Sequence, residues 1–266
     1  MPVPIYHLGH TIARRRQSTF GTVQAATLIP AAFIVVGATL VKGTTAFGFA
    51  LVATPLLLLM WEPRQVVAIT LPLAMMVDLL IVYQNRKRLE PKRILPMVVA
   101  AAAGIPLGNY VLLVASKHVL ALAIAAVAMT SALLLLLGYT IALRRERVAG
   151  GIAGFLSGIL STSTANSGPP VVLFMVNQNW GKETMRSSLS MFFVFNEVMS
   201  IASLAVSGVL NEKTLLVDVA LWPVVLAGFG VASLLVNRIP QGLFRRIAAV
   251  VVLASGALAV ATELAL

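Results

Sequence analysis

The chain has 266 residues, 59% of them hydrophobic and only 11% charged, with a mean hydropathy of +0.95, so most of it must sit in lipid rather than around a water-soluble core. A formal charge of +11 would suggest nucleic acid in a soluble protein, but the basic residues lie in short loops between apolar runs. There membrane topology accounts for them, and no nucleic-acid partner is called for. With no cysteine in the chain, disulfides, thiolate metal sites and cysteine nucleophiles are excluded.

Residues 1–22 carry His7, His10 and the run Arg14-Arg15-Arg16 ahead of the first apolar stretch. They read as an uncleaved, partly disordered tail rather than a twin-arginine export signal, because no small-residue cleavage site follows. The next segment, Gly37 to Met60, is hydrophobic but interrupted by Lys42-Gly43-Thr44-Thr45-Ala46-Phe47-Gly48. Apolar runs near the roughly 20 residues needed to cross a bilayer follow at Gln65–Gln84, Ile94–Val114 and Val119–Leu143. A second interrupted segment, Gly150 to Met175, contains seven consecutive small or polar residues, Ser161 to Ser167, followed by Gly168-Pro169-Pro170. Three further runs close the chain, at Ser187–Ser207, Leu215–Val236 and Ile247–Leu266.

Backbone groups left unpaired in lipid cost several kcal/mol each, so such interruptions survive only where they are buried in protein or line a watery cavity. Their placement in matching parts of two halves is a pointer to a transporter's binding site. The halves, 23–147 and 148–266, can be laid over each other without large gaps. Thr54–Met60 then falls on Pro169–Met175, Arg64 on Lys182, Thr70-Leu71 on Ser188-Leu189, Asp78 on Asn196 and Ala103-Gly104 on Ala227-Gly228. If both interrupted segments turn back as hairpins, fourteen of the 20 basic residues collect on one face, which the positive-inside rule makes cytoplasmic. Simple crossings by both segments fit the charges less well. The expected architecture is an all-α polytopic membrane protein with two inverted repeats, each a broken helix hairpin plus three transmembrane helices.

The stretch from Gly154 to Met175, the stretch from Lys182 to Leu204 and the first-half stretch from Gly43 to Met60 resemble the TauE/SafE, or TSUP, sulfite exporter family of membrane transporters. The resemblance runs from about Thr27 to Leu266, with Gly168-Pro169-Pro170 and Arg186 as its best landmarks. It implies a secondary-active transporter of small anions, such as sulfite, organosulfonates or related sulfur oxyanions, in a bacterial inner membrane. Both interruptions depart from the glycine-rich runs common in that family.

With an anion as the expected substrate, the candidate binding residues are Lys42, Gly43, Thr44, Thr45 and Gly48 in the first interruption. In the second they are Ser161, Thr162, Ser163, Thr164, Asn166, Ser167 and Gly168, with Arg186 beyond it. Hydroxyls, the Asn166 amide and the N-terminus of a half-helix starting near Gly168 are donors suited to anion oxygens. The same hydroxyls can instead bond back to helix carbonyls and only serve packing. Lys42 reads either as an anion-attracting cation or as a snorkelling hairpin-tip lysine. Arg186 reads either as a bidentate oxyanion clamp or as an interfacial arginine. Asp78 and Glu197, inside apolar spans, are candidates for carrying a coupling proton. Phe192, Phe193 and Phe195 read as packing.

The three histidines show no ligand spacing, and no phosphate-binding Gly-x-x-x-x-Gly-Lys-Ser/Thr loop is present, so neither a metal nor another cofactor is expected. The expected partners are the small anion, the lipid bilayer, a coupling proton and, as one admissible assembly, a second copy of the chain. A passive anion channel is the alternative within the same broad class. An integral-membrane enzyme acting on lipid intermediates is a more distant one, since it would need clustered acidic residues or histidines that the sequence scatters.

Overall fold

The computed structural model describes residues 27–137, 146–176 and 182–235, and in the last segment 249–250, 252–254, 256–258 and 260–261. The tail 1–22 lies outside the described residues. Among those described there is no strand. The helices are α1 (Thr27–Thr45), α2 (Phe49–Leu57), α3 (Pro63–Gln84), α4 (Pro91–Val114), α5 (Lys117–Leu137), α6 (Glu146–Thr164), α7 (Gly168–Val176), α8 (Lys182–Val206) and α9 (Glu212–Leu235). Residues described within 249–261 are helical too. The chain is therefore an all-α polytopic membrane protein, with six helices long and apolar enough to cross a bilayer among the described residues.

Five of those helices begin two to five residues before the apolar runs, because their first turns are polar: Pro63-Arg64, Pro91-Lys92-Arg93, Lys117-His118, Lys182-Glu183 and Glu212-Lys213. Proline opens two of them, where its missing N–H would be unpaired in any case. At 1.5 Å per residue, α3, α4, α8 and α9 span roughly 33–38 Å, whereas the nine residues of α2 and of α7 reach only about 14 Å. Large apolar side chains such as Phe33, Leu234 and Val206 stay exposed and face outward, as lipid permits.

The second interruption is a turn. Ser157 Oγ, two helical turns before the end of α6, donates to the Ser167 carbonyl at 2.6 Å, and the Phe174 ring lies against Gly150. Both contacts require α7 to run back antiparallel along α6. The first interruption has the same local bonding. Ala46 N–H donates to the Lys42 carbonyl at 2.7 Å and Ala165 N–H to the Ser161 carbonyl at 2.9 Å. Thr45 Oγ1 donates to the Val41 carbonyl and Thr164 Oγ1 to the Leu160 carbonyl, both at 2.8 Å. Phe47 N–H and Asn166 N–H each donate to that threonine oxygen at 3.4 Å. Ala46 and Ala165 both hold a left-handed backbone, φ 65° and 59°, a conformation that costs a non-glycine residue on the order of 1–2 kcal/mol.

This bonding pairs Ala46 with Ala165, which sets the register between the two segments. Ala50 and Leu51 then correspond to Pro169 and Pro170, and Asp78 corresponds to Glu197. Matching Thr54-Pro55 to Pro169-Pro170 and Asp78 to Asn196, as the sequence suggests, is out of register, by about one helical turn at the prolines.

Helices of the two halves interleave. Gly154 and Gly158 of α6 lie against the backbone of Met97 and Ala101 in α4, and Gly104 and Gly108 of α4 lie against the carbonyls of Phe155 and Ile159. In the same way Gly43 of α1 faces Ala232 and Phe229 of α9, and Gly228 faces Thr39 and Val36. Small residues let these backbones approach closely, the usual device of helix pairs in lipid. At the centre α3 and α8 cross antiparallel: Asp78 of α3 and Glu197 of α8 both reach Lys42, while Arg88, just past α3, pairs with Glu183 at the start of α8.

Candidate functional site

The two turns face each other across a small cavity of about 20 Å³, partly open to the outside. From the first side it is lined by Lys42 and residues 47–51, from the second by Ala165, Asn166, Ser167 and Gly168, and from the central helices by Ala74, Phe193 and Glu197. Asn166 joins the sides directly: its Nδ2 donates to Thr54 Oγ1 of α2 at 3.2 Å and to the Thr164 carbonyl at 2.9 Å.

Lys42 neither snorkels nor stands free. Only 3% exposed, its ammonium pairs with Asp78 Oδ2 and, at 3.2 Å, with Glu197 Oε1, and it sits 5.3 Å from the centre of the Phe193 ring. Asp78 and Glu197 are equally buried. The cluster thus holds one cation against two carboxylates, drawn from α1, α3 and α8, and it is electrically neutral when it carries one additional proton. Phe193, read from sequence as packing, forms the face under the ammonium. Phe195 points outward and Phe192 is buried.

Arg186 reaches the first turn. One terminal nitrogen donates to the Gly43 carbonyl near the end of α1, while Nε has no partner. A guanidinium on the last carbonyls of a helix suits the negative end of its dipole. Arg186 does not line the cavity.

The hydroxyls are largely spent. Thr44 donates to the carbonyls of Leu40 and Val41, Thr45 to those of Val41 and Phe47, Thr162 to Ile105, Ser163 to Ile159 and Thr164 to Leu160. Ser161 accepts from Ser200 at 2.9 Å. A hydroxyl whose proton is committed to a carbonyl offers an anion only lone pairs. The remaining donors at the cavity are the Ser167 hydroxyl, the Lys42 ammonium and backbone groups. The N–H groups of Phe49, Ala50 and Leu51, the first turn of α2, have no side-chain cap, and the first intrahelical bond is Val52 N–H to the Gly48 carbonyl at 3.2 Å. At the matching end of α7, Pro169 and Pro170 have no N–H to give.

Residues 49–51 escaped notice in the sequence because their contribution is backbone, not side chain. The usable signal was the contrast between a proline-free start after Gly48 and a proline-paired start after Ser167. Asp218 was also missed. It is a buried carboxylate with both oxygens unpartnered on α9, away from the cavity, in a turn that precedes the apolar centre of its helix.

The profile of the family described as sulfite exporter TauE/SafE matches residues 31–259, nearly the whole chain. The chain belongs to the TauE/SafE family. No curated protein and no solved structure matches it. Membership places the chain among membrane-spanning transporters of a sulfite exporter family, consistent with transport rather than catalysis. In this TauE/SafE chain both landmark stretches, the Gly168-Pro169-Pro170 start and Arg186, bear on the two turns.

Proposed function

We propose that the protein is a secondary-active transporter of small anions, sulfur oxyanions or organosulfonates, in a bacterial inner membrane, working by alternating access of two inverted halves. The observation that carries this reading is the cavity between the two turns, where three free N–H groups of α2 stand beside the Lys42, Asp78 and Glu197 cluster. Supporting inversion are the antiparallel crossing of α3 and α8 and the shared bonding of the turns. The anion sits at the α2 N-terminus, where about half a unit of positive dipole charge and unpaired donors favour it. Gly48 and Gly168 lie at the rim of this seat, while Gly43, Thr44, Thr45, Ser161, Thr162, Ser163 and Thr164 shape the turns that present it.

A test of the seat comes from the protein's own second half. Ala50→Pro removes one α2 donor at a first-turn position where proline is tolerated, as Pro169 shows at the matching position of α7. A hydrogen bond to a charged group contributes about 1.5–3 kcal/mol. Sulfite affinity in the purified variant is therefore expected to fall by roughly tenfold or more, with Tm changed little. Unchanged affinity in a folded variant would remove α2 from the site.

Proton coupling follows from the charge balance of the cluster. An anion entering beside two carboxylates and one ammonium is compensated when the cluster takes up a proton, at Asp78 or Glu197. Glu197→Gln fixes that position neutral. Vesicles containing this variant are expected to exchange labelled anion but to lose accumulation driven by an imposed pH gradient, whereas the unaltered protein does both. Gradient-driven accumulation by Glu197→Gln equal to that of the unaltered protein would exclude Glu197 as the carrier.

A further inference from the structure

Asp218 lies outside both the cavity and the Lys42 cluster, and no described residue pairs with it. It is 1% exposed on α9, and neither carboxylate oxygen has a hydrogen-bond partner. The short link 207–211 joins α8 to α9, so α9 runs antiparallel to α8 and parallel to α3. Gln84 Nε2 at the end of α3 donates to Ser233 Oγ near the end of α9 at 3.1 Å, which sets their register. About four helical turns back from that bond, Thr70 of α3 and Asp218 of α9 stand at the same level. Thr70 Oγ1 is also buried and without a partner. On α1 and α3, which pack against α9, the charged and titratable side chains are engaged elsewhere. Arg64 is spent on the carbonyls of Leu112 and Leu113, Asp78 belongs to the Lys42 cluster, Tyr83 is exposed, and Lys42 is at the far end of α1. On α9 itself Glu212 and Lys213 are exposed.

A carboxylate taken out of water with neither a cation nor a donor beside it is strongly disfavoured, and such a group neutralises itself by holding a proton. We propose that Asp218 is a second proton-binding site of this transporter, filled in the conformation described and emptied when the first turns of α9 swing away from α3. Asp218 is six residues past the start of α9, about 9 Å along the helix, so water is close once the helices part. Pro223, just beyond it, lacks the N–H that the Val219 carbonyl would otherwise receive, and a proline inside a helix is where it bends. Past the proline, Gly228 lies against Thr39, and Phe229 and Ala232 lie against Gly43, so the far part of α9 is anchored beside the first turn. On opening, the O–H bond of the acid breaks, its proton passes to water and a hydrated carboxylate remains; on closing, the carboxylate takes a proton back from water. The release step rests on the alternating-access reading above, whereas the occupied proton site does not.

Asp78 and Asp218 are the only two aspartates in the chain, so aspartate isotope-labelled at its side-chain carboxyl reports on these two groups alone. NMR of the labelled full chain in lipid bilayers at neutral pH is expected to show a protonated aspartate signal that Asp218→Asn removes. Asp78→Asn, which should keep that signal, makes the same assignment if the first variant fails to fold. Two ionised carboxylates, or a protonated signal that belongs to Asp78 alone, overturns the proposal. In vesicles Asp218→Asn is expected to keep anion counterflow while moving one proton fewer per anion than the unaltered protein. An unchanged proton-to-anion ratio, or loss of counterflow, overturns the part of Asp218 in the cycle. Absence of transport by the unaltered protein overturns the alternating-access reading instead, with the proton at Asp218 still decided by the NMR signal.

Discussion

Lys42→Met is expected to abolish gradient-driven transport and to lower the Tm of the purified protein more than any other single change at the site. Lys42 is the sole cation that touches either Asp78 or Glu197 among the described residues, and all three side chains are almost wholly buried. Removing one member of a buried ion pair costs about 3–5 kcal/mol, because the opposite charge is left desolvated and unpaired. Replacing every member by a neutral residue of similar shape is far less costly. The triple variant Lys42→Met, Asp78→Asn, Glu197→Gln is therefore expected to recover most of the lost Tm while remaining inactive. Thermal unfolding and vesicle transport measured on both variants separate the two roles. A Lys42→Met protein as stable as the unaltered one would show that the cluster does not hold α1 to α3 and α8.

The second large effect is steric. A β-carbon at Gly158 would collide with the backbone of Ala101, and a collision with backbone cannot be relieved by turning a side chain. Overpacking typically costs 1–3 kcal/mol, and Gly158→Val adds three carbons to a seam that continues through Gly104, Gly108 and Gly154. At Gly151, on the same helix, nothing lies within 4 Å of an added β-carbon. There Gly151→Ala should be neutral or stabilising by up to about 1 kcal/mol, since alanine is the better helix former. Thermal unfolding in detergent is expected to show a marked loss of Tm for Gly158→Val and none for Gly151→Ala. Equal behaviour would mean that α4 and α6 are not in close backbone contact.

The membrane helices were legible because length and apolarity alone define a crossing. Their beginnings were not, since polar first turns such as Lys182-Glu183 belong to the helix without belonging to the apolar run. The two interruptions were visible as clusters of small residues, and Lys42, Asp78 and Glu197 each stood out as a charge in an apolar context. Their union did not. It depends on how α1, α3 and α8 cross, joining residues as far apart as Lys42 and Glu197, and no local pattern encodes that. The hydroxyls misled in a specific way. Serine and threonine in a helix donate readily to the carbonyl one turn back, and Thr44, Thr45, Ser163 and Thr164 do so. Richness in hydroxyls at Ser161–Ser167 therefore left few free donors, the Ser167 hydroxyl at the cavity among them, whereas the plainer stretch after Gly48 leaves three. The proline pair, which looked like a helix start suited to anions, is what removes donors from that end.

Counterflow in vesicles containing only the purified protein tests the central claim most directly. Vesicles preloaded with unlabelled sulfite or 2-hydroxyethanesulfonate should take up the same labelled anion against its concentration gradient, transiently and with saturation, and Ala50→Pro should weaken this uptake. An open channel would let label equilibrate without overshoot. Equilibration without overshoot, or no flux above that of protein-free vesicles, would contradict an alternating-access anion carrier built around these two turns.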